Sequence, residues 1–249
     1  DNYVNAICED RKGRIIVATK NGISIVVNNK VSKEKINGLA PGINIMSLEM
    51  DENGDVLLGT ASGLFLMKGE NVTKIEGADN VEIHDILVVD KRIYCATNKG
   101  LLKLDQGKPQ LVTVKNGLSS NNINCIAVSE NKGTLALGTL NGLNFYDLKT
   151  GKILTYFVEN GLIDNNVSCL LYQSDNSLWI GSQTGLIKFE RREFNYYNIS
   201  YDNNSNIIRC ILRDMEGNMW LGTHNGIYRY RDNSFSTFDK INGPGNAFI

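Results

Sequence analysis

Short apolar runs, each closed by turn-forming residues, succeed one another along the whole chain. A typical run is Ile123-Asn124-Cys125-Ile126-Ala127-Val128, followed by the polar turn Glu130-Asn131-Lys132-Gly133. Asp51-Glu52-Asn53-Gly54 is the same kind of turn two repeats earlier in the pattern. The runs are rich in β-branched and aromatic residues, too short for a core helix, and lack a 3.6-residue period. They predict strands throughout.

The runs also repeat as a set. The phrases ATKNGI, GTASGL, ATNKGL, GTLNGL, GSQTGL and GTHNGI place an anchoring glycine at Gly22, Gly63, Gly100, Gly142, Gly185 and Gly226. The intervals are therefore 41, 37, 42, 43 and 41 residues. Four strands in about forty residues is the size of a propeller blade. The sequence thus predicts an all-β chain, a single β-propeller over residues 1–249. Its four-stranded antiparallel blades fall at about 4–36, 45–77, 83–115, 123–158, 167–199 and 207–239, and residues 240–249 start a further repeat.

Columns can be read across the repeats. In Thr-x-x-Gly the chain reverses between the second and third strands, and the glycine is expected to take the positive φ that a side chain resists. Gly59, Gly138, Gly181 and Gly222 alternate with Ala18 and Ala96, which predicts close approach of neighbouring blades. The third unit turns on Asp90-Lys91, one reason for its shorter interval. Innermost strands begin with Val4, Ile45, Ile83, Ile123, Val167 and Ile208. Two residues on stand the mostly small Ala6, Ser47, Asp85, Cys125, Cys169 and Cys210. Space is scarce near a propeller axis, so cysteines there are expected to be packing residues.

Charge and chemistry narrow the function. With 26 basic and 27 acidic residues, net −1, the chain lacks the broad basic footprint of a nucleic-acid binder. No run of 18 apolar residues is present, so no membrane contact by this segment is expected. The opening Asp1-Asn2-Tyr3 does not read as a signal peptide, so any targeting segment is expected to be removed or to lie outside the chain. The five cysteines and two histidines have no zinc spacing, and neither a metal nor a cofactor is expected. Asp51-Glu52-Asn53-Gly54-Asp55 lacks the length and distal Glu of an EF-hand. His84-Asp85 is adjacent in a strand, where alternation would point the two side chains to opposite faces, so no catalytic pair is expected.

The units VSCLLYQSDNSLWIGSQTGLIKFE (167–190) and IIRCILRDMEGNMWLGTHNGIYRY (207–230) resemble the two-component regulator propeller repeat. So do the connectors Asn37-Gly38-Leu39, Asn116-Gly117-Leu118 and Asn160-Gly161-Leu162. The resemblance runs through all six units, although two connectors lack Asn-Gly-Leu and tryptophan occurs only at Trp179 and Trp220. It implies a non-enzymatic piece of the periplasmic sensor of a hybrid two-component system, built from seven-bladed propellers. Such a sensor detects an oligosaccharide or other small ligand and signals to a histidine kinase that controls glycan-utilisation genes. Implied partners are an adjacent propeller, a β-sandwich domain, and a second copy in a homodimer. The rivals are a structural or dimerisation propeller and, less favoured, a propeller lyase or glycosidase.

In a propeller, the loops entering the inner strands and the turns between second and third strands share one face. Candidate ligand-binding residues are therefore Asn5, His84, Asn124, Ser168 and Arg209 at the second inner-strand position, and Lys20, Asn98, Gln183 and His224 in the turns. Such amides, hydroxyls and cations suit hydrogen bonding to sugar hydroxyls. Trp179 and Trp220 share an otherwise apolar column and are read as packing residues rather than sugar platforms.

Overall fold

β-branched and aromatic runs cut by two-residue turns fold as antiparallel meanders, and six of them form here. The computed structural model describes residues 3–32, 36–199 and 207–238. The first blade holds β1 (Val4–Glu9), β2 (Ile15–Thr19), β3 (Gly22–Val27) and β4 (Lys30–Val31). The second holds β5 (Ile45–Met50), β6 (Val56–Thr60), β7 (Gly63–Lys68) and β8 (Asn71–Asp79). In the third are β9 (Ile83–Val89), β10 (Arg92–Thr97), β11 (Gly100–Asp105) and β12 (Lys108–Val112). The fourth comprises β13 (Ile123–Val128), β14 (Thr134–Thr139), β15 (Gly142–Asp147) and β16 (Ile153–Tyr156). The fifth comprises β17 (Val167–Tyr172), β18 (Leu178–Ser182), β19 (Leu186–Glu190) and β20 (Glu193–Tyr197). The sixth ends with β21 (Ile208–Arg213), β22 (Met219–Thr223), β23 (Gly226–Arg231) and β24 (Ser234–Phe238). Every sheet is ordered first to fourth strand, so the fold is an all-β propeller of six four-stranded antiparallel blades. The expected start of a further repeat at 240–249 lies outside the described residues.

The chain divides into two compact units. Unit 1 is Asp1–Asn116 with Asn121–Ile123, and unit 2 is Gly117–Ser120 with Asn124–Ile249. Within unit 1 the inner strands β1, β5 and β9 lie side by side, and within unit 2 β17 lies against β14 and β21. Each unit fills the space between its blades with apolar side chains. In unit 1 these are mainly aliphatic, with Ile16, Ile45, Leu57, Leu58, Leu64 and Ile83 almost wholly buried beside Phe65 and Tyr94. Unit 2 adds rings: Phe145, Tyr156, Phe189 and Phe194 form one edge-to-face group. Trp179 packs on Tyr197 and Tyr230 in another. Trp179 is 1% exposed, so its column is a packing column, while Trp220 is half-buried and donates its indole N–H to Asp214.

The small column does let blades approach. A Cβ at Gly181 would stand 2.5 Å from Cys169 Sγ and 2.7 Å from a methyl of Ile208 in the next blade. Gly138 meets Cys125 and Val167, and Gly59 meets Ser47 and Ile83, in the same way. The hairpin glycines also behave largely as expected: Gly22, Gly63, Gly100, Gly142 and Gly226 have φ between 112° and 141°. Gly185 is the exception and is absent from the positive-φ glycines. Its turn is closed by Ser182, whose backbone N–H and hydroxyl both donate to the Gly185 carbonyl.

The connectors resembling Asn-Gly-Leu have a shared construction. Asn116 Oδ1 accepts the N–H of Thr113, and Asn160 Oδ1 accepts that of Phe157, each closing a three-residue 3-10 turn. Asn121 and Asn165 accept from Val114 and Val158. Leu118 and Leu162 are buried. The connector sequence is thus a capped turn with an apolar anchor.

The cysteine expectation needs one correction. Cys95, Cys125 and Cys169 are buried, but Cys8 is half-buried and Cys210 is exposed. Cys210 occupies the same column as Cys125 and Cys169, on an inner strand whose next-blade side is exposed at Leu212 (64%).

Candidate functional site

The second inner-strand position is a β-bulge. The ladder skips one residue between Val4 and Ala6, Ile45 and Ser47, Ile83 and Asp85, Val167 and Cys169, and Ile208 and Cys210. Asn5, Met46, His84, Ser168 and Arg209 are the extra residues. A bulge inserts one extra residue and re-aims its side chain.

The re-aimed side chains have a common target. Asn5 Nδ2 donates to the carbonyl of Ile45 (2.8 Å) and to Asn44 Oδ1 (3.0 Å). Asn124 Nδ2 does the same to Val167 (2.8 Å) and Asn166 Oδ1 (3.1 Å). His84 Nδ1 lies 2.7 Å from the carbonyl O of Ile123, which can only accept, so the proton sits on Nδ1. Its Nε2 is 3.6 Å from Glu82. Ser168 Oγ is 2.5 Å from the carbonyl O of Ile208 and 3.0 Å from that of Gly181. In each case the acceptor is the first residue of the next inner strand. Met46 has no donor, and there the hydroxyl of Ser47 reaches Ile83 O at 3.5 Å. The bulge column is a row of stitches between successive inner strands. Arg209, the last member, is exposed.

The hairpin turns lie at the same end. Backbone N–H groups of Lys20, Ala61, Asn98 and His224 donate to Tyr3, Asn44, Glu82 and Ile207, the residues just before their own inner strands. Lys20, Gln183 and His224 are exposed, and Asn98 is half-buried with its Oδ1 accepting from Glu82 N–H. The Lys20 ammonium stands 4.3 Å over the ring of Tyr3. Unit 1 therefore gathers Asn5, Lys20, His84 and Asn98 at one end, and unit 2 gathers Asn124, Ser168, Gln183, Arg209 and His224.

Sequence reasoning assigned the hairpin threonines no role, yet they build these turns. Thr19 Oγ1 accepts from Asn21 N–H and donates to Gly22 O (3.0 Å). Thr60, Thr97, Thr139 and Thr223 repeat the motif, and Ser182 replaces them in the fifth blade. The repeated Thr three residues before Gly was the available signal.

At the opposite end the first hairpins also touch their neighbours. Arg11 Nη2 donates to the Glu52 carbonyl, Glu52 Oε1 accepts from Lys91 N–H, and Asn176 Oδ1 accepts from Glu130 N–H. Burial pushes the Cys95 thiol up to about 12, with Asp85 adding to it, which keeps it protonated and inert. Asp214 is held down at about 2, chiefly by the Trp220 indole N–H. Among the described residues no group of three or more His, Cys, Asp and Glu side chains is placed to hold a metal ion.

Comparison with known proteins places the repeat. The family model of the two-component regulator propeller matches residues 1–21, 161–184 and 201–225. A histidine kinase, P4 of Formosa agariphila, is 27% identical over 140 residues, 50% of this chain and 10% of the kinase. The extracellular domain of a hybrid two-component system of B. thetaiotaomicron superposes with a TM-score of 0.84 at 21% identity, covering 96% of this chain and 34% of that one. A streptogramin B lyase superposes at 0.78 with 17% identity, covering 96% and 83%. At these identities the superpositions establish the propeller fold. The chain spans about a tenth of the kinase and a third of the bacterial ectodomain it matches.

Proposed function

From a chain that carries two-component regulator propeller repeats, we propose a sensory module, one part of the periplasmic sensor of a hybrid two-component system. It takes up a glycan-derived oligosaccharide and passes the signal to a histidine kinase that controls glycan use. The observation that carries this reading is the family match, supported by likeness to the extracellular domain of a hybrid two-component system. The segment itself catalyses nothing in this reading.

The nine candidate residues divide by role. Asn5, His84, Asn124 and Ser168 hold inner strands together and set the rigidity of the binding end. Lys20 in unit 1 and Gln183, His224 and Arg209 in unit 2 are exposed at the hairpin-turn end of their own units and make the direct contacts to ligand hydroxyls, while Asn98 of unit 1 is half-buried. Loops on a rigid scaffold are where binding concentrates. The exposed inner strands β1 and β21 each take a further repeat or a neighbouring domain of the parent protein, which also dimerises. In support, Val4 is 51% exposed although its column mates Ile45, Ile83, Ile123, Val167 and Ile208 are fully buried.

Titration calorimetry of the parent ectodomain against a panel of oligosaccharides tests the reading. Binding that is lost on Lys20→Ala in unit 1 or on Arg209→Ala in unit 2, with assembly intact, is the expected result. Flat traces with the whole panel would leave the rival, an assembly platform whose neighbour binds the ligand, and turnover of any glycan would make the segment an enzyme. The stitches give that rival its footing, since they commit four of the polar inner-strand side chains to the fold itself.

A further inference from the structure

Unit 1 carries two acids in columns that are otherwise small or apolar. The fifth inner-strand position reads Cys8, Glu49, Leu87, Ala127, Leu171 and Leu212, and the third holds Asp85 among Ala6, Ser47 and three cysteines. Glu49 is half-buried on β5, opposite Leu57, which is 1% exposed. β5 packs against β1, β2, β6 and β9, and none of these five strands contains a lysine or arginine.

The groups facing Glu49 can be named strand by strand. From β9 come the Asp85 carboxylate and a backbone N–H of Val88 that donates to Glu49. From β1 comes the Cys8 thiol, which burial, Asp10 and Glu49 push up to about 11. Glu9, at the end of β1, is exposed. β2 and β6 bring no titratable residue. His84, also on β9, is engaged at Nδ1 with the Ile123 carbonyl, and Asp85 Oδ1 accepts from Ile86 N–H at 2.9 Å.

We propose that Glu49 and Asp85, like-charged groups on adjacent inner strands, form a proton-operated lock on the junction between the second and third blades. A proton on the pair seats the junction, and its loss leaves two carboxylates on neighbouring strands, with no lysine or arginine on the five strands packed there. Burial first, and Asp85 second, raise Glu49 from its ordinary 4.5 to about 7. A carboxyl raised in the folded state is neutral there while already ionised in the unfolded chain. Its contribution is therefore intact below pH 4.5, falls between 4.5 and 7, and is fully lost above 7. The inference stands on unit 1 alone and is independent of the sensor reading.

Denaturant unfolding of wild type, Glu49→Gln and Asp85→Asn between pH 4 and 8 tests it. Relative to Glu49→Gln, wild type should lose roughly two orders of magnitude in its folding equilibrium constant across that range. Asp85→Asn should shrink the loss by lowering the Glu49 midpoint. A carbon-13 titration of the Glu49 carboxyl in the wild-type chain reads the same proton directly, whether or not the variants fold. A midpoint near neutrality, moved down by Asp85→Asn, supports the lock. A midpoint near the ordinary carboxyl value, or Glu49→Gln tracking wild type at every pH, overturns it.

Discussion

The two units use one backbone plan and fill it with different chemistry. Unit 1 has a mainly aliphatic core and puts Asp85 and Glu49 on its inner strands. Unit 2 packs rings between its blades and puts Cys125 and Cys169 in the matching column. Gly59 sits over a hydroxyl, whereas Gly138 and Gly181 sit over thiols. The backbone tolerates either filling because the small column fixes the spacing of blades and the bulge column fixes their alignment. What the filling decides is response: burial and Asp85 raise the Glu49 carboxyl of unit 1 to about 7, whereas burial pushes the Cys169 thiol of unit 2 well above its ordinary value.

The comparison breaks first at the cores. Trp179→Ala should cost about 3–5 kcal/mol, more than most aliphatic truncations such as Leu57→Ala in unit 1, at about 2–5 kcal/mol. Chemical unfolding of the two variants measures the gap, and an equal or reversed order would deny the rings their role. Gly181→Ala should follow at about 1–3 kcal/mol, because the added methyl overlaps Cys169 and Ile208. A thermal melt unchanged from wild type would mean that the blades can part without cost.

Smaller effects sharpen the same contrast. Asn124→Ala should cost about 1 kcal/mol by removing two hydrogen bonds from a half-buried amide, and Asn5→Ala less because Asn5 is exposed. Hydrogen exchange of the flanking strands ranks the two. The smallest effect is a gain. Trp179 Nε1 is buried with no hydrogen-bond partner among the described residues, whereas Trp220 has Asp214 six residues upstream. Gln173 holds the corresponding place and closes the same turn through Ser177 and Asn176. Gln173→Asp should therefore stabilise by up to about 1 kcal/mol, read as a raised Tm.

The repeat, the strand columns and the close approach at Gly138 and Gly181 were legible because each leaves a mark at a fixed offset in every unit. The bulge was not. It shifts the ladder by one residue and has no composition of its own: Asn5, Met46, His84, Ser168 and Arg209 share no residue type. The stitches escaped notice for a further reason, since each joins residues about forty apart through a backbone carbonyl that every residue possesses. The Glu49–Asp85 coupling likewise depends on which strands become neighbours. Cys210 was misjudged because its column was read as uniformly covered, while β21 is exposed at Arg209 and Leu212.

The most direct test of the proposed binding end is amide chemical-shift mapping of the labelled chain with oligosaccharides from the calorimetric panel. Perturbations should gather at residues 20–21, 98–99, 183–184 and 224–225 and at Arg209, leaving the stitched Asn5 and Asn124 side-chain amides in slow exchange. Perturbations centred instead on the opposite hairpins around Arg11, Glu52 and Asn176 would contradict it.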